Sequence, residues 1–272
     1  MITDRFSVRV LSRVSAFILI SSLTVAGCAA RQPMAIPRHL LHSPCAHAKD
    51  VPGDPTADPI LFAGCDDAER SAFIRRNIAA TVVIFVGRYS EKDQALKYAA
   101  GTGTVIDDEG TVLTAFHVIE DAEFVTVTLQ QLSDNGQSVK RLRDVPMRVS
   151  AVSPDTDTAL LRPSHITAMP KPMPLCRHDA PKTGDLLWHF GRTTTWAAGR
   201  VAATDVTANG VSVIEVDVRV NFGDSGGPLV NASGQLVGVT LSMHDKATMY
   251  FVHVDRALKA LGYKGTQDAC PE

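Results

Sequence analysis

The sequence predicts an all-β fold of two lobes that ends in a short C-terminal helix. From residue 77 onward, short apolar runs rich in β-branched residues are separated by Gly, Asn, Asp and Pro, a pattern typical of barrels and sandwiches built from short strands. Four prolines between residues 162 and 174 interrupt strand pairing, because proline cannot donate a hydrogen bond to a sheet. They mark the connection between a first lobe at about 77–163 and a second lobe at about 175–253.

Six strands are predicted in each lobe. In the first lobe they lie at residues 81–86, 102–106, 111–115, 124–129, 147–152 and 158–161. In the second lobe they lie at residues 186–190, 195–204, 211–218, 228–230, 236–241 and 249–252. Asn209-Gly210 and Ser233-Gly234 are predicted to be tight turns between strands. Four apolar residues at helical spacing then predict a short helix at 254–261 that covers a barrel edge.

The composition argues against several classes of function. With 27 basic and 29 acidic residues among 272, the chain has no block of like charge that would indicate binding to nucleic acid. A chain of this length can bury enough surface to be stable without disulfides. We therefore expect no nucleic-acid partner and no cofactor, while the oligomeric state is left open.

The first 27 residues resemble a bacterial lipoprotein signal peptide. Three arginines in the first thirteen residues precede an uncharged run at 14–26, as in the basic and apolar regions of a secretory signal. The ending Val25-Ala26-Gly27-Cys28 resembles a lipobox, which implies that Cys28 is acylated and anchors the protein to a membrane. Because Ala29 is not an aspartate, family analogy favours the outer membrane, facing the periplasm. The alternative is an ordinary signal peptide that is cleaved a few residues later.

Residues 28–72 are predicted to form a membrane tether, and residues 264–272 a tail. The tether is rich in Pro, His, Asp and Ala and lacks the periodicity of a packed element. It contains four closely spaced groups that could bind zinc or copper, namely His39, His42, Cys45 and His47. Most zinc sites are held by a folded framework, and we expect no metal site in a flexible arm.

Four cysteines beyond position 28 would lie in an oxidising compartment: Cys45, Cys65, Cys176 and Cys270. Four thiols allow three pairings, and the spacing does not separate them. We favour Cys45–Cys65 with Cys176–Cys270, which would fix the tether and the tail. A Cys65–Cys176 bond, from the tether to the link between the lobes, is the main alternative. Since none of the four is next to a residue with a predicted catalytic role, we expect no thiol nucleophile.

Residues 221–228 read Asn-Phe-Gly-Asp-Ser-Gly-Gly-Pro and form the central functional motif. Its glycines allow a sharp loop whose N–H groups point inward. Two such amides, those of Gly223 and Ser225 on either side of Asp224, are what an acyl-transfer enzyme needs to hold a developing oxyanion. A glycine-rich hairpin turn is the simpler interpretation, but a histidine and an acid upstream favour catalysis.

Such a histidine and acid are present. His117 follows the third predicted strand, and Asp157 directly precedes the sixth. The order His, Asp, Ser is one of the known chain orders of the catalytic triad. Ser225 would be the nucleophile, His117 the base that activates it, and Asp157 the carboxylate that orients the imidazole. Asp155 is the nearest rival carboxylate and Asp121 a more distant one.

These motifs resemble the trypsin-like (chymotrypsin-fold) serine peptidases, and more closely the protease domain of the bacterial high-temperature-requirement proteases. The resemblance covers about residues 78–261. It rests on Gly-Thr-Gly-Thr-Val-Ile-Asp at 101–107, the strand into His117, Asp-Thr-Ala-Leu-Leu at 157–161 and residues 216–228. It implies two packed six-stranded antiparallel β-barrels, with the active site in the cleft between them.

The same resemblance implies a serine endopeptidase that cleaves protein or peptide substrates through an acyl-enzyme. Thr240, Leu241 and Ser242 would supply the strand that pairs with the substrate backbone. Arg219, six residues before the serine, occupies a position often found at the base of the primary pocket. An arginine there disfavours a preference for Lys or Arg; the side chain could select an acidic residue or point to solvent. Asn221 is a further substrate-binding candidate.

The sequence departs from the family in two respects. No Ile-Val-Gly-Gly-like activation site is present, so we expect no zymogen cleavage. Asp224 then needs a partner other than a new amino terminus, or stays hydrated, because a buried unpaired carboxylate is costly. The chain stops soon after the predicted helix, and no downstream peptide-binding domain is expected. The main alternative function is a catalytically silent binding module on the same fold.

Overall fold

The computed structural model describes residues 34–35, 67–134, 136, 138–192, 195–208, 210–243, 248–265 and 268–270. The signal peptide, Cys28 and the predicted tether ligands at 39–47 lie outside these residues, as do Cys45 and Cys65. All described residues belong to one unit, Pro33–Glu272. No helix among them is long and apolar enough to cross a membrane. Within the same ranges, no group of three or more His, Cys, Asp or Glu is arranged to hold a metal ion.

The first lobe is a six-stranded antiparallel barrel. Its strands are β2 (Thr81–Ser90), β3 (Ala95–Val105), β4 (Val112–Ala115), β5 (Phe124–Leu132), β6 (Ser138–Ser153) and β7 (Thr158–Pro163). They pair in the order β6-β5-β2-β3-β4-β7, and β6 also pairs with β7, which closes the ring. A two-residue strand, β1 (Met34–Ala35), pairs with β6. The interior is filled mainly by branched aliphatic side chains, among them Val82, Ile84, Val127 and Leu161.

The second lobe is a closed barrel of six strands. These are β8 (Leu186–Gly191), β9 (Thr195–Ala208), β10 (Val211–Val216), β11 (Pro228–Val230), β12 (Leu236–Met243) and β13 (Met249–His253), in the order β10-β13-β12-β11-β8-β9. A short helix follows at the C-terminal end, as the sequence predicts. The predicted fold class is therefore confirmed.

A helix that the sequence analysis did not predict, α1 (Asp67–Ala80), precedes the first barrel and overlaps the predicted tether. Phe73 packs edge-on against Trp188 of β8, with the ring centroids 5.4 Å apart. Arg75 donates to two loop carbonyls of the first lobe, while Arg76 donates to a loop carbonyl of the second lobe. The helix therefore contacts both barrels.

The C-terminal segment is fixed to both lobes. After α3 (Val254–Ala260), the hydroxyl of Tyr263 donates to Asp107 of the first barrel at 3.1 Å. Burial, followed by the Asp107 carboxylate, raises the pKa of Tyr263 to about 12, so the hydroxyl remains a donor. Cys176 and Cys270 form a disulfide with their Cα atoms 4.5 Å apart, which is the second of the two pairs that the sequence favours. Since Cys176 is bonded to Cys270, it is not available for the alternative pairing with Cys65.

Candidate active site

His117 lies on α2 (Phe116–Ile119), a single helical turn that follows β4, and Asp157 fixes its imidazole. The Nδ1 of His117 is 2.6 Å from Oδ2 of Asp157, and the backbone N–H of His117 donates to Oδ1 of the same carboxylate at 2.8 Å. Asp157 adopts a left-handed conformation with φ of 49°, which turns its carboxylate towards α2. The tautomer that donates Nδ1–H to Asp157 has its lone pair on Nε2, the atom that a general base uses.

The rival carboxylates do not share this role. Neither Asp155 nor Asp121 hydrogen bonds to His117 within the described residues. The main chain of Asp157 adds a further contact, because its carbonyl accepts the N–H of Phe116 at 3.0 Å. Three hydrogen bonds therefore join one aspartate to the start of the histidine-bearing turn.

Arg88 on β2, which the sequence analysis missed, holds the other end of that turn. Its Nε donates to the carbonyl of Glu120 at 2.6 Å, and its Nη2 donates to the carbonyls of Val118 at 2.8 Å and His117 at 3.0 Å. These carbonyls end a helix and have no partner within it. An arginine about 30 positions earlier in the chain thus caps the C-terminal end of α2, and no local sequence motif predicts this role.

The loop at residues 221–228 carries the proposed nucleophile Ser225 and is called the nucleophile loop below. It contacts the first barrel next to the turn that bears His117. The carbonyl of Ser225 accepts the N–H of Thr102 at 2.9 Å, and the carbonyl of Gly223 accepts the Thr102 hydroxyl at 2.8 Å. At Gly226, with φ of +82°, an added methyl group would lie 2.7 Å from the backbone nitrogen of Ala115. The loop therefore rests against the last residues of β4, two positions before His117, and only glycine fits there.

In this structure the Ser225 hydroxyl donates to the carbonyl of Leu241 at 3.4 Å, and no hydrogen bond joins it to His117 among the described residues. Rotation about one side-chain bond is the motion that would redirect the hydroxyl. Catalytic hydrogen bonds are often long or misaligned before substrate binds. The long contact with Leu241 is a weak restraint on that rotation.

The predicted oxyanion hole has two available donors. The N–H groups of Gly223 and Ser225 form no hydrogen bond within the part of the chain that the structure describes. The amide between them, that of Asp224, closes a turn by donating to the carbonyl of Asn221 at 3.1 Å. Gly223 has φ of +96°, a conformation that side-chained residues rarely adopt. Both amides that the sequence singled out are therefore free to bind an oxygen anion.

Asp224 is fully buried, which settles one of the two alternatives left open by the sequence. Its Oδ2 accepts the N–H of Asn221 at 2.9 Å. Its Oδ1 lies beside Nε2 of His189, because both atoms fall within 2.8 Å of the point where a Cβ would stand on Gly191. His189, another residue that sequence reasoning missed, is also fully buried.

The hydrogen bonds of His189 identify its neutral tautomer. Its Nδ1 is 3.1 Å from the Thr240 hydroxyl, and that hydroxyl donates to the carbonyl of Gly227 at 2.9 Å. Thr240 is thus the acceptor and Nδ1 carries the proton. Nε2 has no hydrogen-bond partner among the described residues. Burial lowers the pKa of His189, opposed by the charge of Asp224 and by the carbonyl of Pro228.

The predicted substrate-binding residues do not all reach the cleft. Thr240 is buried, and its N–H and C=O are bonded to Gly227 and Gly226 of the nucleophile loop, so neither group is open to a substrate backbone in this structure. Leu241 is buried, while Ser242 is exposed. The remaining two, Arg219 and Asn221, have exposed side chains, and Arg219 lies between the buried Val218 and Val220.

Comparison with known proteins gives a family match over the region that carries the site. The trypsin-like peptidase domain matches residues 101–239. A probable periplasmic serine endoprotease, DegP-like, from Marinomonas sp. is 32% identical over 170 residues, which cover 59% of this chain and 33% of that protein. The mitochondrial serine protease HTRA2 of Bos taurus is 27% identical over 189 residues, covering 65% of this chain and 39% of that protein.

Two further relatives agree with this match. The serine endoprotease DegS of Escherichia coli is 29% identical over 159 residues, covering 54% of this chain and 41% of that protein. A solved variant of the HtrA-type protease AlgW, with a decapeptide, superposes with a TM-score of 0.58 at 22% identity and covers 70% of this chain and 64% of that one. The chain thus spans between 33% and 41% of the length of the three curated relatives.

Proposed function

The chain belongs to the trypsin-like peptidase domain family, and from this premise we propose that it is a serine endopeptidase acting on protein or peptide substrates. One observation carries the proposal. The loop that bears Ser225 presents two unbonded amides and rests against the end of β4, next to a histidine whose Nδ1 is held by a carboxylate at 2.6 Å. The residues proposed as nucleophile, base and oxyanion donors thus come from two barrels to neighbouring positions, which supports the proposal.

The proposed reaction begins with proton transfer from the Ser225 hydroxyl to Nε2 of His117 as the oxygen attacks the substrate carbonyl carbon. The carbonyl oxygen becomes negative and is bound by the N–H groups of Gly223 and Ser225. Asp157 stabilises the imidazolium, which then donates its proton to the leaving amine. A water molecule, activated by the same histidine, hydrolyses the acyl-enzyme and regenerates the serine.

Beyond Thr240, strand β12 continues through the buried Leu241 to the exposed Ser242. We propose that a peptide adds as a strand beside Leu241 and Ser242, with the residues before the scissile bond on this side. Thr240 takes no part, because its main chain already holds the nucleophile loop. Arg219 and Asn221 are exposed on the segment that leads into the loop and remain proposed specificity residues.

Labelling with a fluorophosphonate probe tests the catalytic proposal directly. We expect wild type to be labelled and to cleave a denatured protein, Ser225→Ala to lose both properties, and His117→Ala to lose several powers of ten in turnover. Ser212→Ala, a substitution of the same kind away from the site, should behave as wild type. Absence of both labelling and cleavage in folded wild type would instead support the alternative of a silent binding module.

We further propose that the protein is a lipoprotein of the bacterial envelope. The lipobox-like ending before Cys28 supports acylation, and the relative from Marinomonas sp. is named a probable periplasmic serine endoprotease. Metabolic labelling with an alkyne fatty acid should mark wild type and not Cys28→Ala. Recovery of unlabelled wild type in the soluble periplasmic fraction would contradict the anchor.

A further inference from the structure

Arg192 places its guanidinium group against the nucleophile loop at Gly223. An added methyl group on Gly223 would lie 2.8 Å from both Nε and Nη2 of this arginine. The backbone N–H of Arg192 donates to the hydroxyl of Thr102 at 3.1 Å, the same hydroxyl that donates to Gly223. The main chain at Arg192 is therefore fixed to the contact that positions the loop.

This guanidinium is a permanent cation without a counter-ion in the described residues. Its Nε is buried and has no hydrogen-bond partner there, and no carboxylate of the described chain lies within ion-pair distance of it. Asp224 of the same loop is buried and bonded to Asn221, and it forms no ion pair with Arg192. A buried donor left unbonded is unfavourable, and a planar guanidinium matches the geometry of a carboxylate.

The two flanks of the loop assign a side of the scissile bond to Arg192. On one flank lies β12, whose Thr240 carbonyl accepts the N–H of Gly226 at 2.8 Å. Its continuation, Leu241 and Ser242, is the proposed substrate strand. Thr102 and Arg192 lie against the loop at Gly223 instead. If residues before the scissile bond follow β12, the leaving group departs past Gly223 and the guanidinium.

We propose that Arg192 binds a carboxylate of the substrate on the leaving-group side of the scissile bond, so that the enzyme prefers an acidic residue there. This inference rests on the proposed function and deepens it. The carboxylate can come from an internal Glu or Asp side chain or from a free C-terminus close to the cleaved bond. Arg192 acts in binding, while Gly223 and Ser225 hold the oxyanion.

A fluorogenic peptide series tests the inference. Starting from one sequence that wild type cleaves, Glu or Gln is placed at each of three positions after the scissile bond in C-terminally amidated peptides. A second arm keeps Gln and ends in a free carboxylate, which separates the two sources of charge. We expect wild type to favour the carboxylate at one position by about 10- to 100-fold in kcat/KM, the range expected for a hydrogen bond to a charged group.

The variants separate binding from other roles. Arg192→Gln should abolish the preference, because it lowers kcat/KM for the Glu peptides by the wild-type ratio more than it lowers kcat/KM for the Gln peptides. Labelling of this variant at Ser225 by the fluorophosphonate probe shows that it is folded. Arg192→Lys keeps the charge and should retain part of the preference. Arg148→Gln removes an equal charge from an exposed position on β6 and should keep all of it.

Four results would overturn the inference. An equal loss of kcat/KM for Glu and Gln peptides in Arg192→Gln would mean that the guanidinium stabilises the oxyanion rather than a substrate carboxylate. Loss of the preference in Arg219→Gln instead would assign the selection to that residue. A wild type that cleaves well but shows no preference at any position would refute the inference alone. A wild type that cleaves none of the peptides and is not labelled at Ser225 would refute the proposed function as well.

Discussion

The buried imidazole of His189 should make the stability of the fold decrease as the pH falls below about 7. The side chain is fully buried, and its neutral tautomer already uses its only proton on Thr240. Burial lowers the pKa of His189 in the folded protein, whereas the unfolded chain titrates near the ordinary value of about 6.5. Below that value the unfolded state binds a proton that the folded state does not, so stability must fall as the pH falls.

The size of the effect follows from linkage. While the pH lies below the unfolded pKa and above the folded one, each such histidine reduces the free energy of unfolding by about 1.4 kcal/mol per pH unit. His253, at the start of α3, shifts in the same direction because burial lowers its pKa as well. The two together give a slope of up to about 2.7 kcal/mol per pH unit, which is large against a total stability of about 5–15 kcal/mol.

Chemical unfolding at several pH values from about 7.5 down to about 5 measures this slope, because the range begins above the unfolded pKa of about 6.5. His189→Gln removes the titrating group and keeps a polar side chain. At the upper pH it should lower the free energy of unfolding by about 1 kcal/mol, because the bond to Thr240 is altered. It should also reduce the pH slope by about 1.4 kcal/mol per pH unit. His165→Gln, at an exposed position, should leave the slope unchanged. If His189→Gln kept the wild-type slope, the folded imidazole would accept its proton as readily as the unfolded one, with Asp224 as its counter-ion, and the neutral assignment would be wrong.

Three further substitutions test how the site and the fold are held. Asp157→Asn should lower kcat by about four powers of ten, because an amide cannot both accept Nδ1–H and stabilise the imidazolium of His117. Circular dichroism should show an intact fold. A loss of less than tenfold would mean that another carboxylate orients the histidine. Arg88→Met, which removes three bonds to carbonyls at the end of α2, should lower kcat by up to about 100-fold through a misplaced base, measured with a saturating peptide. Replacing Cys176 and Cys270 with serine removes a disulfide between residues 94 positions apart. The free energy of unfolding should fall by about 2–5 kcal/mol. Identical denaturant midpoints for the oxidised protein and the variant would contradict this expectation.

The sequence predicts the barrels well because their strands carry local signals. Short apolar runs bounded by turn residues recur throughout both lobes, and the four prolines of the connection fall outside the barrel strands except at the end of β7. Longer strands were underestimated where polar residues continue the pairing. Residues 138–146 of β6 are an example, since charged side chains at several of these positions conceal a strand that pairs with β5 throughout.

The helix α1 could not be read from its own sequence because tertiary contacts stabilise it. Its early residues are largely charged, and its apolar positions give only a short stripe. What secures it is Phe73 against Trp188 and two arginines on loop carbonyls of different lobes. Contacts between residues 58 to 157 positions apart leave no periodic pattern, and helical propensity alone does not decide such cases.

The same distinction divides the candidate site. Ser225 and its glycines form a local motif, and the order of His117 and Asp157 adds to it, so the sequence alone is enough to propose these three as the reacting groups. Arg88 and His189 act through bonds to main-chain carbonyls or to another side chain; since many residue types could make such bonds, nothing in their neighbourhood singles them out. Thr240 illustrates the converse: the motif identifies the strand but not which of its main-chain groups the loop already occupies.

The contacts between the barrels also explain why the loop, rather than either barrel, is the sensitive element of the site. His117 and Asp157 belong to the first barrel, and Ser225 to a loop of the second. Across this boundary Thr102 alone makes two bonds to the loop, one to Gly223 and one to Ser225. On the far side the loop is held by Thr240, which His189 in turn fixes. A displacement of one barrel against the other must therefore break bonds at the loop, and a misplacement of about 1 Å there is enough to lose about 100-fold in rate.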